Sequence, residues 1–158
     1  MIKITLNELI GSRPTLEKLS NISMNARTKY WLSKLSTKVV SETRNFEEAR
    51  LDLCKKLGKP VKYVPKKDIS GNADDEGMDL VDVTDPAELN SPTVMYTVLP
   101  ENVEAFNQNM KSLVESELEL TGVNKLKLAD LTTAQGEAVD IDFDLSPILW
   151  LIEEPDDA

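Results

Sequence analysis

Between Met24 and Leu57 the chain contains neither glycine nor proline. Over that stretch apolar side chains recur at Leu32, Leu35, Val39, Phe46, Ala49, Leu53 and Leu57. Steps of three and four put them on one stripe of a helix about 50 Å long. Ser23 suits the N-cap, and Gly58 with Pro60 ends the helix. The stripe has one discordant site, Glu42 and Thr43, between Val39 and Phe46. Because Glu is seldom fully buried, Glu42 is expected to reach the edge while Thr43 and Val40 fill the gap.

A second helix is predicted from Pro100, with Glu101 in its first turn and Val103, Phe106, Met110 and Leu113 on one face. Two helices with matching stripes pack side by side, and that pair is the expected core. At the N-terminus Ile2, Ile4 and Leu6 alternate with polar residues as a half-buried strand does. Thr5 with Glu8 then caps a brief helix limited by Gly11 and Pro14, and a second short helix runs through Leu16 and Leu19.

Strands are predicted at 61–64 and 93–99, and a hairpin at 118–121 and 125–131 around Gly122 and Asn124. Val139, Ile141 and Phe143 alternate with Asp140, Asp142 and Asp144 as a strand with one acidic face. Ser146 and Pro147 start a short apolar helix bearing Trp150, for which docking on the core is favoured over presentation to a partner. Residues 68–92 combine acids with two Gly and two Pro and no helical period, which reads as a long, flexible acidic surface loop. The sum is an α+β fold in a single domain, 1–158. One long and one medium helix pack together with a small, mainly antiparallel sheet.

Charge is divided unevenly along the chain. Residues 1–67 hold 15 Lys and Arg against 6 acids, a net of +9, whereas residues 68–158 hold 3 bases against 22 acids, a net of −19. The basic part invites phosphate contacts, but the acidic part repels the same polyanion, so charge pairing within the chain is the simpler account. The composition therefore disfavours a nucleic-acid partner. No apolar run reaches the length of a membrane span, and the single Cys54 agrees with a reducing compartment, so a cytoplasmic setting is expected.

Chemistry is narrowed further by what the residues can supply. With no His, the chain lacks the commonest general base and most zinc ligand sets. It carries neither G-x-x-x-x-G-K-[ST] nor G-x-G-x-x-G, so the main phosphate-cradling loops are missing. Residues 72–77, NADDEG, imitate the first half of a calcium loop, but its bidentate twelfth position is Val83. Asp140, Asp142 and Asp144 resemble the paired carboxylates of a magnesium-dependent phosphodiesterase, yet alternating acids are commonly just the wet face of a strand. No metal and no cofactor is expected, and the expectation is of no enzyme.

The stretch LSKLSTKVVSETRNFEEARLDLCKKLGK, followed by LPENVEAFNQNMKSLVESELEL, resembles a family of small uncharacterised proteins of tailed phages and prophages. Phe46, Glu47, Glu48, Ala49, Arg50, Leu57 and Gly58 carry the first part of the likeness, and Asn102, Phe106, Leu113 and Leu118 the second. Between residues 32 and 120 the order is the same: a long helix, a variable loop, a second helix and a Glu- and Leu-rich strand. The resemblance implies a phage accessory or assembly protein without known catalysis. It transfers no catalytic residues, and the acidic loop and the DIDFDL segment depart from it. Protein–protein binding is then the expected function, by way of Asp74, Asp75, Glu76 and Asp79, of Asp140, Asp142 and Asp144, or of Trp150. A different reading is an acidic mimic of DNA that occupies the basic groove of a host defence or DNA-processing protein. Oligomeric state is left open by the stripe, which can be covered within the chain or by a copy.

Overall fold

The computed structural model of the protein describes residues 1–67 and 73–153, and for 67 and 73–76 it describes the backbone alone. Its elements are β1 (Ile2–Thr5), α1 (Leu6–Asn21), α2 (Ala26–Leu57), β2 (Gly58–Lys67), β3 (Ala73–Asp82), β4 (Met95–Val98), α3 (Val103–Val114) and β5 (Glu117–Leu120). Short 3-10 turns stand at Pro86–Glu88, Pro100–Asn102, Leu128–Asp130 and Ser146–Leu151. The strands pair antiparallel throughout, β1 with β5 and β2 between β3 and β4. The fold is α+β with small antiparallel sheets, as the sequence predicts. The chain divides into two compact units, Met1–Phe46 with Lys111–Ala158, and Glu47–Met110.

In the first unit, Ile2 and Ile4 of β1 stand opposite Leu120 and Leu118 of β5, and this pairing replaces the predicted 118–131 hairpin. Thr5 then starts α1. Its N–H donates to the Glu8 carboxylate at 2.8 Å, and the Glu8 N–H donates to its hydroxyl at 3.2 Å. This reciprocal cap satisfies two donors that a helix start otherwise leaves unpaired. The two bonds from Thr5, the backbone one foremost, hold the Glu8 carboxyl below its ordinary value of 4.5. A folded-state pKa below the unfolded one means that the contribution is present above the unfolded value and lost as pH falls through the folded one. Thr5→Ala is expected to cost about 1 kcal/mol. Glu8→Gln should destabilise at neutral pH by an amount that fades on acidification, as followed by thermal melts across a pH series.

Gly11 and Pro14 do not divide α1, which runs unbroken for 16 residues with Pro14 inside it. A mid-helix proline costs about 3 kcal/mol. Burial of Leu9, Leu16 and Leu19, each at most 2% exposed, supplies about 1.5–3 kcal/mol apiece and outweighs that cost. The Ser12 hydroxyl, itself buried, donates to the Leu9 carbonyl at 2.6 Å.

At the start of α2 the cap is Asn25 rather than Ser23. The Asn25 side chain accepts from the Thr28 N–H at 2.9 Å and donates to the carbonyls of Asp130 and Thr132. Midway along, Thr43 fills the discordant site as expected, with its hydroxyl donating to the Val39 carbonyl at 2.8 Å. Glu42 reaches Lys38 at 3.0 Å. Val40 does not share in the filling and stands 51% exposed.

The core is not built on the pairing of α2 with α3. Leu9, Leu16, Leu19, Leu32, Leu120, Ile148 and Leu151 are its most deeply buried members, drawn from α1, the first half of α2, β5 and the Ser146–Leu151 turn. Helix α3 contributes no fully buried side chain. Periodicity reveals that a helix has an apolar face, but not which element covers it. The C-terminal segment closes this core without the predicted strand, and the predicted short helix from Ser146 and Pro147 is present as the 3-10 helix Ser146–Leu151. Leu126 forms a parallel bridge to Ile152, tied by Leu126 N–H to Leu151 O and Glu153 N–H to Leu126 O, both 2.8 Å. Val139, Ile141 and Phe143 still pack against the core while Asp140 and Asp142 face water, so the alternation is kept although no strand forms there.

The second unit is built around β2. Its register sets Tyr63 opposite Leu80 and Pro65 opposite Met78 on β3, and Val61 opposite Met95 on β4. Strand β3 occupies 73–82 of the predicted 68–92 loop, and 68–72 lie outside the described residues. Asn102 donates to the Leu57 carbonyl at 3.0 Å, joining the turn before α3 to the end of α2. Among the described residues of this unit the fully buried apolar side chains are Cys54, Val61 and Val83.

Candidate functional site

Cross-strand partners in an antiparallel pair point to the same face of a sheet. The register of β2 therefore gathers Val61, Tyr63, Pro65, Met78, Leu80 and Met95 on one face of the second unit. Val61 is buried there, whereas Tyr63, Met78, Leu80 and Met95 are 55%, 56%, 50% and 41% exposed. The opposite face carries Lys62, Val64, Asp79, Val81 and Tyr96. It is partly covered: Lys62 pairs with Glu88 of the 3-10 turn, and the Lys55 ammonium stands 5.6 Å from the centre of the Tyr96 ring. On the apolar face the ion pair of Lys59 with Asp82, at 2.9 Å, marks one border. A contiguous set of large apolar side chains bounded by charge is the usual form of a protein-binding surface.

The residues expected from the sequence to bind a partner are distributed as follows. Asp74, Asp75, Glu76 and Asp79 lie on β3, and the side chains of the first three fall outside the described residues. Asp79 is exposed on the face opposite Met78 and Leu80. Asp140, Asp142 and Asp144 belong to the other unit, as does Trp150, so the eight residues do not form one site within a unit.

Asp144 has a local task. Its carboxylate accepts from the hydroxyl and the N–H of Ser146, and these bonds, the hydroxyl's foremost, hold its pKa below the ordinary value. It thereby orders the entry to the Ser146–Leu151 turn, in the manner of an Asx turn. Trp150 packs partly buried against the core with its Nε1–H donating to the Pro147 carbonyl at 3.2 Å, which agrees with docking rather than presentation. Its neighbour Leu149 is the more exposed of the two, at 62%.

The calcium-loop imitation at 72–77 falls largely on β3, where an extended backbone replaces a turn. No group of three or more Asp, Glu or Cys comes together in a metal-holding arrangement among the described residues. A polar cleft of about 280 Å³ opens in the first unit between the start of α2 and residues 124–132. Sequence reasoning missed both this cleft and the apolar face. For the face a signal was present, because Met78 and Leu80 alternate with Asp79 and Val81, and Tyr63 stands between Lys62 and Val64.

These features define an α+β protein with a largely exposed apolar sheet face in one unit and a polar cleft in the other. No family model, no curated protein and no solved structure matches the chain. No described helix is long and apolar enough to cross a membrane.

Proposed function

We propose that this chain is a non-enzymatic accessory or assembly protein of a tailed phage or prophage, acting in the host cytoplasm by binding another protein. The observation that carries the binding function is the exposure of Tyr63, Met78, Leu80 and Met95 on one sheet face. The unit that bears it buries few apolar side chains of its own, and small units with little core gain most from being covered. A phage setting is supported by the likeness of residues 32–120 to small phage proteins. The partner is then a virion component or a host protein with an apolar patch of its own.

Salt separates this reading from DNA mimicry. Contacts between apolar surfaces persist as ionic strength rises, whereas a carboxylate array in a basic groove is released as counterions compete. The test is affinity capture from infected and uninfected host lysate at about 0.05 M and about 0.5 M salt, with mass spectrometry of the retained proteins. Salt-resistant retention of one virion or host protein is expected. Salt-labile retention of a DNA-binding protein would replace the assembly reading with mimicry.

A further inference from the structure

The geometry points to the polar cleft of the first unit as a binding site for a nucleoside monophosphate, independently of the sheet face and its partner. The cleft measures about 280 Å³ and is lined in part by Arg27, Trp31, Lys125 and Asp130. Its walls are fixed before any ligand arrives. Asn25 donates to Asp130 O and to both Thr132 O and Thr132 Oγ1, and the Thr28 hydroxyl donates to Asp130 O at 2.9 Å. Leu126, on the far wall, is held by its two main-chain bonds to Leu151 and Glu153.

The charged groups on this lining are exposed and open to a ligand. Among the described residues neither Arg27 nor Lys125 forms an ion pair, and the Asp130 carboxylate has no partner while its carbonyl has three. Other cations of the region are engaged: Lys127 pairs with Glu153 at 3.8 Å, and Lys29 donates to the Ser20 and Ile22 carbonyls. Two free cations suit a phosphate, which Arg binds through a planar fork and Lys as a point charge. A free carboxylate suits the hydroxyls of a ribose, which it can accept from. Trp31 supplies the aromatic surface on which a base stacks. Its ring is held by the edge of Tyr30 at 5.6 Å between centroids and by the Lys34 ammonium at 5.1 Å. An anion, a diol and a planar ring on one small molecule match the three kinds of group on the wall.

The test uses the full chain carrying Trp150→Phe, so that Trp31 is the fluorescent reporter, with calorimetry on the unaltered protein. AMP and UMP are the probes, and adenosine and inorganic phosphate are titrated beside them. Saturable quenching by the nucleotides with Kd of about 1 mM or tighter is expected. Arg27→Gln or Lys125→Gln should weaken it about tenfold or more. Both side chains are exposed, so melting temperatures should stay unchanged and a loss of binding will not be a loss of fold. No saturable binding by either nucleotide would overturn the proposal. So would inorganic phosphate binding as tightly as AMP, an oligonucleotide binding where the mononucleotides do not, or Arg27→Gln and Lys125→Gln both binding like the parent.

Discussion

Leu19→Ala and Leu120→Ala are each expected to lower stability by about 2–5 kcal/mol, the range for removing a large aliphatic side chain from a closed core. Both leucines are fully buried, Leu19 on α1 and Leu120 on β5, and the surrounding Leu9, Leu16, Leu32, Ile148 and Leu151 leave little freedom to collapse into the space. Met110→Ala on α3 is the informative contrast. That helix buries no side chain fully, and Met110 is only half-buried, so truncation there should cost about 1–2 kcal/mol, less than at a closed core site. Chemical denaturation followed by circular dichroism measures the difference. Because the chain has two compact units, each transition should be fitted separately if two appear. A larger loss from Met110→Ala than from Leu19→Ala would mean that the core is built on the pairing of α2 with α3 after all.

Gly58→Ala is expected to be the most damaging single change in the second unit, at about 3 kcal/mol. A Cβ on Gly58 would stand 2.2 Å from the Thr97 carbonyl oxygen and 2.6 Å from that of Cys54. Both are backbone atoms, so no rotamer change relieves the clash, and the junction of α2 with β2 must shift. Since Gly58 pairs with Val98, the shift would propagate into the β2–β4 ladder. Gly11→Ala should do the opposite. Nothing lies within 4 Å of its added methyl, and alanine in a helix interior gains about 0.5–1 kcal/mol over glycine. Thermal melts of the two variants should move in opposite directions from the parent, and a neutral Gly58→Ala would contradict the close approach of Thr97.

What the sequence disclosed depended on how each element is stabilised. Helix α2 was legible because its apolar side chains keep a three-four spacing, broken only at Glu42 and Thr43, without Gly or Pro. Strand β1 was legible from Ile2 and Ile4 alternating with polar residues. Helix α1 was not, because Pro14 is a local breaker and only the tertiary burial of Leu9, Leu16 and Leu19 overrides it. Strand β3 was hidden by composition: Asp, Glu and Gly are poor strand formers, and pairing with β2 is a contact between distant residues.

The C-terminal segment shows an intermediate case. Alternation at 139–144 correctly separated the side chains that face the core from those that face water, yet a ladder needs a neighbouring strand, and sequence alternation cannot supply one. The apolar face escaped notice for a related reason. Tyr63 on β2 and Leu80 on β3 become neighbours only through the register of the pair. The cleft joins Arg27 to Lys125 across a separation in sequence that no local pattern spans.

The most direct test of the binding account sets two variants against each other with whichever partner is captured. Leu80→Lys places a charge at the centre of the apolar face, and the triple change Asp140→Asn, Asp142→Asn, Asp144→Asn removes the acidic run. Exposed substitutions such as Leu80→Lys are expected to change stability by only about 0.5 kcal/mol, which melting will verify. Partner affinity measured by calorimetry should then fall at least about thirtyfold for Leu80→Lys, the loss of a buried anchor at an interface, and remain within about twofold for the triple variant. Full affinity in Leu80→Lys, with binding lost in the triple variant and abolished by salt, would contradict the apolar face as the working surface.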